Sequence, residues 1–261
     1  MIGLFDSGLG GLSVLSAIAR ALPQADLLYL ADTAQVPYGD KPEAFIRARV
    51  LTLGAHLVAE GCSTLVVACN TATVAAVQSL RQAHPTLAVI GIEPGIKPAA
   101  AASRTGHIAV LATESTARSP RLQTLIKTHA SHLDVHVTPC PGWATRVETL
   151  HLADPNFADD IAGRIQPLLD RGVDRIVLGC THYAFLAPLI QPLIHGRAQL
   201  VEVADAVARE VVRRTAQAPA GRGHLILQAT ARPAALHAAL PALGLQPLLT
   251  HLQAPARLIS L

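Results

Sequence analysis

Short apolar runs recur along the chain, separated by longer stretches in which apolar positions return every three or four residues. The runs at 2–5, 27–30, 65–68, 88–92, 108–111, 135–137, 176–178, 200–203 and 225–227 are rich in Val, Leu and Ile and lack polar alternation, as strands buried on both faces do. The intervening patterns at 11–21, 42–60, 72–84, 119–132, 156–171, 184–194 and 205–215 predict helices. Strands alternating with helices require crossover connections. The expected fold is α/β, with mostly parallel central sheets flanked by helices. In such sheets ligands bind beyond the carboxyl ends of the strands. The segments 103–107 and 218–223 read as loops.

The pattern also repeats. LVVACNTA around Cys69 is matched by IVLGCTHY around Cys180, 111 residues later. GLFDSGLG at the start is matched by VLATESTA near Thr113, and YLADTA near Asp32 by HVTPCP near Pro139, at similar offsets. Three strand ends recurring in one order predict an internal duplication with a cysteine at the third strand end of each half. The last strand and helix are expected to return to the first half, giving domains 1–95 plus 205–261 and 96–204.

Composition narrows the function classes. With 261 residues the chain suits one α/β unit or two small ones. A net charge of +3 and 3% aromatics give neither the basic stripe nor the stacking platform of a nucleic-acid binder. No apolar run reaches the roughly 18 residues of a spanning helix. The opening MIGLFDSGLGG lacks a basic leader region, so no signal peptide is expected. Cys62, Cys69, Cys140 and Cys180 lie far apart, which fits free thiols in a reducing cytoplasm better than disulfides.

The strand ends carry the candidate chemistry. Cys69 stands just before a helical stretch, where unpaired N–H groups favour a thiolate or a bound carboxylate. Asn70, Thr71 and Thr73 follow as polar arms, or as helix caps around a structural thiol. Cys180 is followed by Thr181 and His182. A free thiol is only a few per cent ionised at neutral pH, and an imidazole can take its proton or stabilise the anion. A zinc pair is a third reading of Cys180 and His182, but no second spaced Cys/His pair completes it, and no metal is expected. Asp6, Ser7 and the glycines of FDSGLGG can approach an anion without the dinucleotide or P-loop spacing. Taken alone, Asp6 reads as a helix cap, the loop with Asp32, Tyr38 and Gly39 as an ordinary turn, and Glu148 as a solvated helix residue. Cys62 precedes a strand, at the end away from the expected site, and Cys140 lies between two prolines.

Together, FDSGLGG, DTAQVPYG, ACNTAT, GIEP, CPGWATRVE and GCTHY, in this order from residue 4 to 183, resemble the glutamate racemases of the aspartate/glutamate racemase superfamily. The resemblance implies two pseudo-symmetric α/β domains with the active site in the cleft between them, and no cofactor. It implies that Cys69 works on the D-isomer of glutamate assisted by Asp6, and Cys180 on the L-isomer assisted by His182, with Glu148 near the second cysteine. It also implies substrate contacts from Asp6, Ser7, Tyr38, Gly39, Asn70, Thr71, Thr113, Thr116, Thr181 and His182. A cytoplasmic role in peptidoglycan synthesis follows, as does a homodimer or monomer–dimer equilibrium, with no nucleic-acid or membrane partner. Racemisation of aspartate or another small amino acid is the nearest alternative. A non-catalytic binder of an acidic metabolite is the alternative from another class, against which the intact Cys69, Cys180, Asp6 and His182 argue. Three features depart from the family. The tail LQATARPAAL lacks a common Gly-Asp pair, Ala206 stands where serine is frequent, and Trp143 replaces a smaller residue. The N-terminal extension used elsewhere for regulation by a cell-wall precursor is also missing, so that regulation is not expected.

Overall fold

The computed structural model describes residues 1–217 and 220–261, so 218 and 219 of the expected 218–223 loop lie outside the described residues. Among the described residues ten strands form: β1 (Ile2–Asp6), β2 (Leu27–Ala31), β3 (Thr64–Val67), β4 (Ala88–Gly91), β5 (His107–Ala112), β6 (Asp134–Pro139), β7 (Arg175–Leu178), β8 (Gln199–Val201), β9 (Leu225–Ala229) and β10 (Arg257–Leu258). Each expected run forms a strand within one or two residues, and every ladder is parallel. The expected α/β class with parallel sheets flanked by helices is therefore correct.

The chain divides into two compact units, 1–92 with 204–261, and 93–203. The first holds a six-stranded sheet in the order β10-β9-β2-β1-β3-β4, and the second a four-stranded sheet in the order β6-β5-β7-β8. The second order repeats the β2-β1-β3-β4 part of the first, strand for strand. That agreement supports the duplication read from the sequence. The extra strands of the first unit come from the C-terminal segment, with Leu27 of β2 in register with Leu225 of β9.

The central strands of both sheets are buried along their length, and helices cover them with apolar faces. Phe5, Leu28, Leu30, Leu65 and Val67 pack with Ile46, Val50, Leu53 and Leu80 in the first unit. Ile108, Val110, Ala112 and Val177 pack with Leu122 and Ile96 in the second. Burying one such side chain contributes roughly 1.5–3 kcal/mol.

Several helices depart from expectation. Ile96–Ala102, Glu114–Arg118 and Pro233–Ala242 form where no helix was predicted, and Glu148 ends a short helix, Trp143–Glu148. The stretch expected as a helix at 184–194 begins as a 3-10 turn, Thr181–Leu186, before the helix Ala187–Ile194. Among the described residues, no helix is long and apolar enough to cross a membrane.

Candidate active site

All four cysteines are free and buried. Two of them stand immediately beyond matching strands, Cys69 after β3 and Cys180 after β7, and each has its own surroundings.

In the first unit, Cys69 is itself the N-cap of the helix Asn70–Ala83, its Sγ accepting from the Ala72 N–H at 3.5 Å. This corrects the capping reading of Asn70 and Thr71, which lie within the first turn, buried. The helix end turns N–H groups and the positive end of its dipole toward the sulfur, an arrangement that suits an anion. Next along the sheet, β1 ends in Asp6, which is fully buried. One of its carboxylate oxygens accepts from the Ser7 hydroxyl at 2.9 Å and from the Gly8 N–H at 2.8 Å. The helix that follows is capped by Gly11, so Asp6 is not its N-cap. Ser7 Oγ lies 4.0 Å from Cys69 Sγ, at the limit of a thiol hydrogen bond. A path from thiol to hydroxyl to carboxylate is thus laid out. Gly11 allows this packing, since a Cβ there would lie 2.7 Å from Asp6 Cβ.

Beyond β2, Tyr38 is buried and donates to Asp32 at 2.6 Å. Arg49 holds the same carboxylate through two bonds of 2.7 Å, and Thr230 adds a third donor at 2.8 Å. Burial, followed by the Asp32 charge, pushes the Tyr38 phenol far above its ordinary value. Asp32 is therefore the anchor of the loop that carries Tyr38 and Gly39. Arg49, which fixes Asp32, gave no signal in the sequence because it sits amid an ordinary helical pattern. Asn70 stands apart. Its side-chain oxygen and nitrogen are both buried and neither has a hydrogen-bond partner. Such an orphaned amide is expensive unless something polar meets it.

In the second unit, Cys180 opens a 3-10 turn with no side-chain cap. His182 Nδ1 lies 3.6 Å from its sulfur, and the other ring nitrogen meets Glu148 at 2.5 Å. Glu148 is buried against His182, which overturns the solvated reading of that residue. Burial opposes a charge on His182, yet the bonds to Cys180 and Glu148 outweigh it and hold its pKa well above that of an ordinary histidine. Trp143 starts the helix that carries Glu148. Its indole donates to Asp160 at 2.6 Å, and its ring packs edge-on against Tyr183 and Phe157. Thr181 is buried beside Cys180. Thr113 caps the short helix after the neighbouring strand β5 by accepting from the Thr116 N–H at 3.3 Å, and Thr116 is fully buried. Gly179 lets β7 press on β5, where a Cβ would lie 2.8 Å from the Leu111 carbonyl oxygen.

The remaining cysteines are poor acids. Burial pushes Cys140 up to about 12 and Cys62 up to about 11. Neither has a histidine or hydroxyl relay like those of Cys69 and Cys180.

Two sheets share one strand order, and beyond the corresponding strand of each stands a buried thiol, one beside a hydroxyl and the other beside an imidazole. A profile of the Asp/Glu/Hydantoin racemase family matches residues 2–211, and the chain belongs to that family. It is 45% identical over 83% of its length to a glutamate racemase of Ectopseudomonas mendocina, covering 82% of that protein. Among solved structures it resembles a glutamate racemase isoform of Bacillus anthracis (TM-score 0.87, 27% identity, covering 100% of this chain and 97% of that one). It also resembles the Escherichia coli glutamate racemase in complex with L-glutamate and the activator UDP-MurNAc-ala (TM-score 0.83, 29% identity, covering 100% and 98%).

Proposed function

We propose that the chain interconverts L- and D-glutamate by two-thiol proton transfer in the cytoplasm, supplying D-glutamate for peptidoglycan. The observation that carries this reading is the matched pair of buried free thiols at equivalent strand ends, each with its own proton partner.

Racemisation needs a base on one face of the α-carbon and an acid on the other. From L-glutamate, the Cys180 thiolate takes the α-proton, and the electron pair left on carbon delocalises into the carboxylate. The Cys69 thiol then returns a proton to the opposite face, giving D-glutamate and leaving its own thiolate. The reverse reaction exchanges the roles. Positioned donors stabilise the charge that develops in between. The orphaned Asn70 amide and the N–H groups following each cysteine are suited to that work, with Thr71 and Thr181 beside them. Asp6 acts on Cys69 through Ser7, and Glu148 acts on Cys180 through His182. Tyr38 and Gly39 in the first unit, and Thr113 and Thr116 in the second, are the further residues proposed to contact the substrate.

The test is circular dichroism of the purified chain with each enantiomer of glutamate and no added cofactor. The signal should decay to zero from both sides, because mirror-image substrates have equal free energy. Optical activity that persists with both enantiomers would overturn the proposal. Aspartate serves as the parallel substrate, and faster racemisation of aspartate would move the assignment within the family.

A further inference from the structure

At the amino ends of β5 and β6, three side chains converge that the racemase reading does not use. His107 begins β5, and Asp134 and His136 belong to β6. The parallel register pairs His107 with Asp134. His136 lies two residues beyond Asp134, so all three stand on one face of the sheet at its edge. The catalytic candidates of this unit stand at the other end of these strands, and β5 alone spans about 17 Å.

The geometry is unlike that of an ordinary ion pair. Nδ1 of His107 lies 3.4 Å from Asp134 Oδ2, and Nε2 of His136 lies 3.5 Å from the same oxygen. Hydrogen-bonded charged pairs close to about 2.7–2.9 Å. Both nitrogens are buried, and neither has a hydrogen-bond partner. Two orphaned imidazole nitrogens therefore face one carboxylate at a separation too long for a good bond. The separation is the one a metal imposes. In a tetrahedral site with bonds of about 2.0–2.1 Å, ligand atoms stand about 3.3–3.4 Å apart. All three ligand atoms fall within 4.8 Å of one another, the one such group of His, Cys, Asp and Glu among the described residues. The two imidazole rings stack nearly parallel, 12° apart with centroids 6.0 Å apart, so a modest turn of either ring is needed to aim both lone pairs at one ion.

We propose that His107, Asp134 and His136 bind a divalent transition ion of the zinc class. Two imidazoles and one carboxylate suit zinc or its neighbours rather than magnesium or calcium, which prefer oxygen. The Asp134 side chain is 60% exposed, which leaves the remaining coordination position to water. The ion would clip edge strand β6 to β5. Sequence spacing gave no hint of this, because the ligands come from two strands 27 residues apart and lack a recognised motif. One neighbour opposes the site. Arg171 approaches Nδ1 of His136 at 3.5 Å. That contact places the proton of a neutral His136 on Nε2, so Arg171 must withdraw for the metal to bind there.

The test is titration of the intact chain with Co²⁺, which reports its ligands by colour. One equivalent should bind with visible ligand-field bands and without the near-ultraviolet charge-transfer band of thiolate ligands. That spectrum separates this site from the cysteines. His107→Ala and His136→Ala should each weaken binding about 10-fold or more, Asp134→Asn should also weaken it, and Arg171→Ala should tighten it. Racemase activity of each variant, expected unchanged, confirms folding. No binding below about 1 mM, binding that survives both histidine substitutions, or a thiolate spectrum would overturn the proposal.

Discussion

Cys69 and Cys180 occupy the same place in two sheets of the same strand order, yet they are supported by different chemistry. Cys69 caps a helix of 14 residues and meets a hydroxyl that leads to a buried carboxylate. Cys180 opens a 3-10 turn and meets an imidazole that a buried glutamate holds in place. Duplication explains where the thiols stand, and local substitution explains how each is served. The helix end favours a thiolate through dipoles and N–H groups that do not titrate. The imidazole beside Cys180 instead carries a proton that can leave. One scaffold thus carries two different sets of neighbours around its matched thiols.

The comparison breaks most sharply if one thiol proves dispensable. Cys69→Ser and Cys180→Ser should each lower racemisation by at least about 10³-fold, since groups acting as a unit fail together. Full turnover in either variant, measured in D₂O by loss of optical activity, would end the two-thiol account.

The helpers should differ in weight. His182→Asn should lower kcat/KM by about 10²-fold or more, as for a lost general acid–base group. Ser7→Ala should lower it by only about 10-fold, because Cys69 keeps its helix end. For each variant kcat/KM must fall equally from L and D, because the equilibrium constant is fixed at one by symmetry. The asymmetry between sites will appear in kcat and KM, which must differ by the same factor between enantiomers, or in deuterium isotope effects measured from each enantiomer. Equal losses and equal isotope effects for the two variants would mean that the helpers are interchangeable.

The smallest effect concerns pH. Glu148 is one of the groups holding the pKa of His182 up, so Glu148→Gln should move the alkaline limb of the kcat profile to lower pH while leaving both thiols in place. A limb that stays put would show that His182 owes its charge to Cys180 alone. The sign for stability is related. A raised histidine pKa contributes stability that is complete below the ordinary value of 6.5 and is lost as pH rises through the folded value.

Much of this was legible in the sequence, for physical reasons. Parallel strands buried on both faces leave unbroken apolar runs, so β1 through β9 could be read directly. β10 could not, because Arg257 and Leu258 are two exposed residues at an edge. The helix Pro233–Ala242 escaped because Arg-Pro at its start and Pro241 within it read as breakers, although Pro233 sits in the first turn, where it is tolerated. In the site, the cysteines stood out by their repeat. Glu148 did not, because burial by His182 across 34 residues of chain leaves no local mark. Asp32 looked like a turn residue until Arg49, Tyr38 and Thr230 were seen to share its carboxylate.

The register of Leu27 with Leu225 also sets an order of assembly during synthesis. The unit built from 93–203 is one continuous piece of chain, complete before β9 is made. The first sheet must wait for its edge partner. At about 5–20 residues per second, the ribosome takes roughly 10–40 s to pass from Leu27 to Leu225. The cradle of Cys180 can therefore be finished while the sheet that carries Cys69 is still exposed along β2. A nascent chain halted once residue 203 has cleared the ribosome, but with β9 still inside it, would hold the 93–203 unit free to fold and the other sheet open along β2.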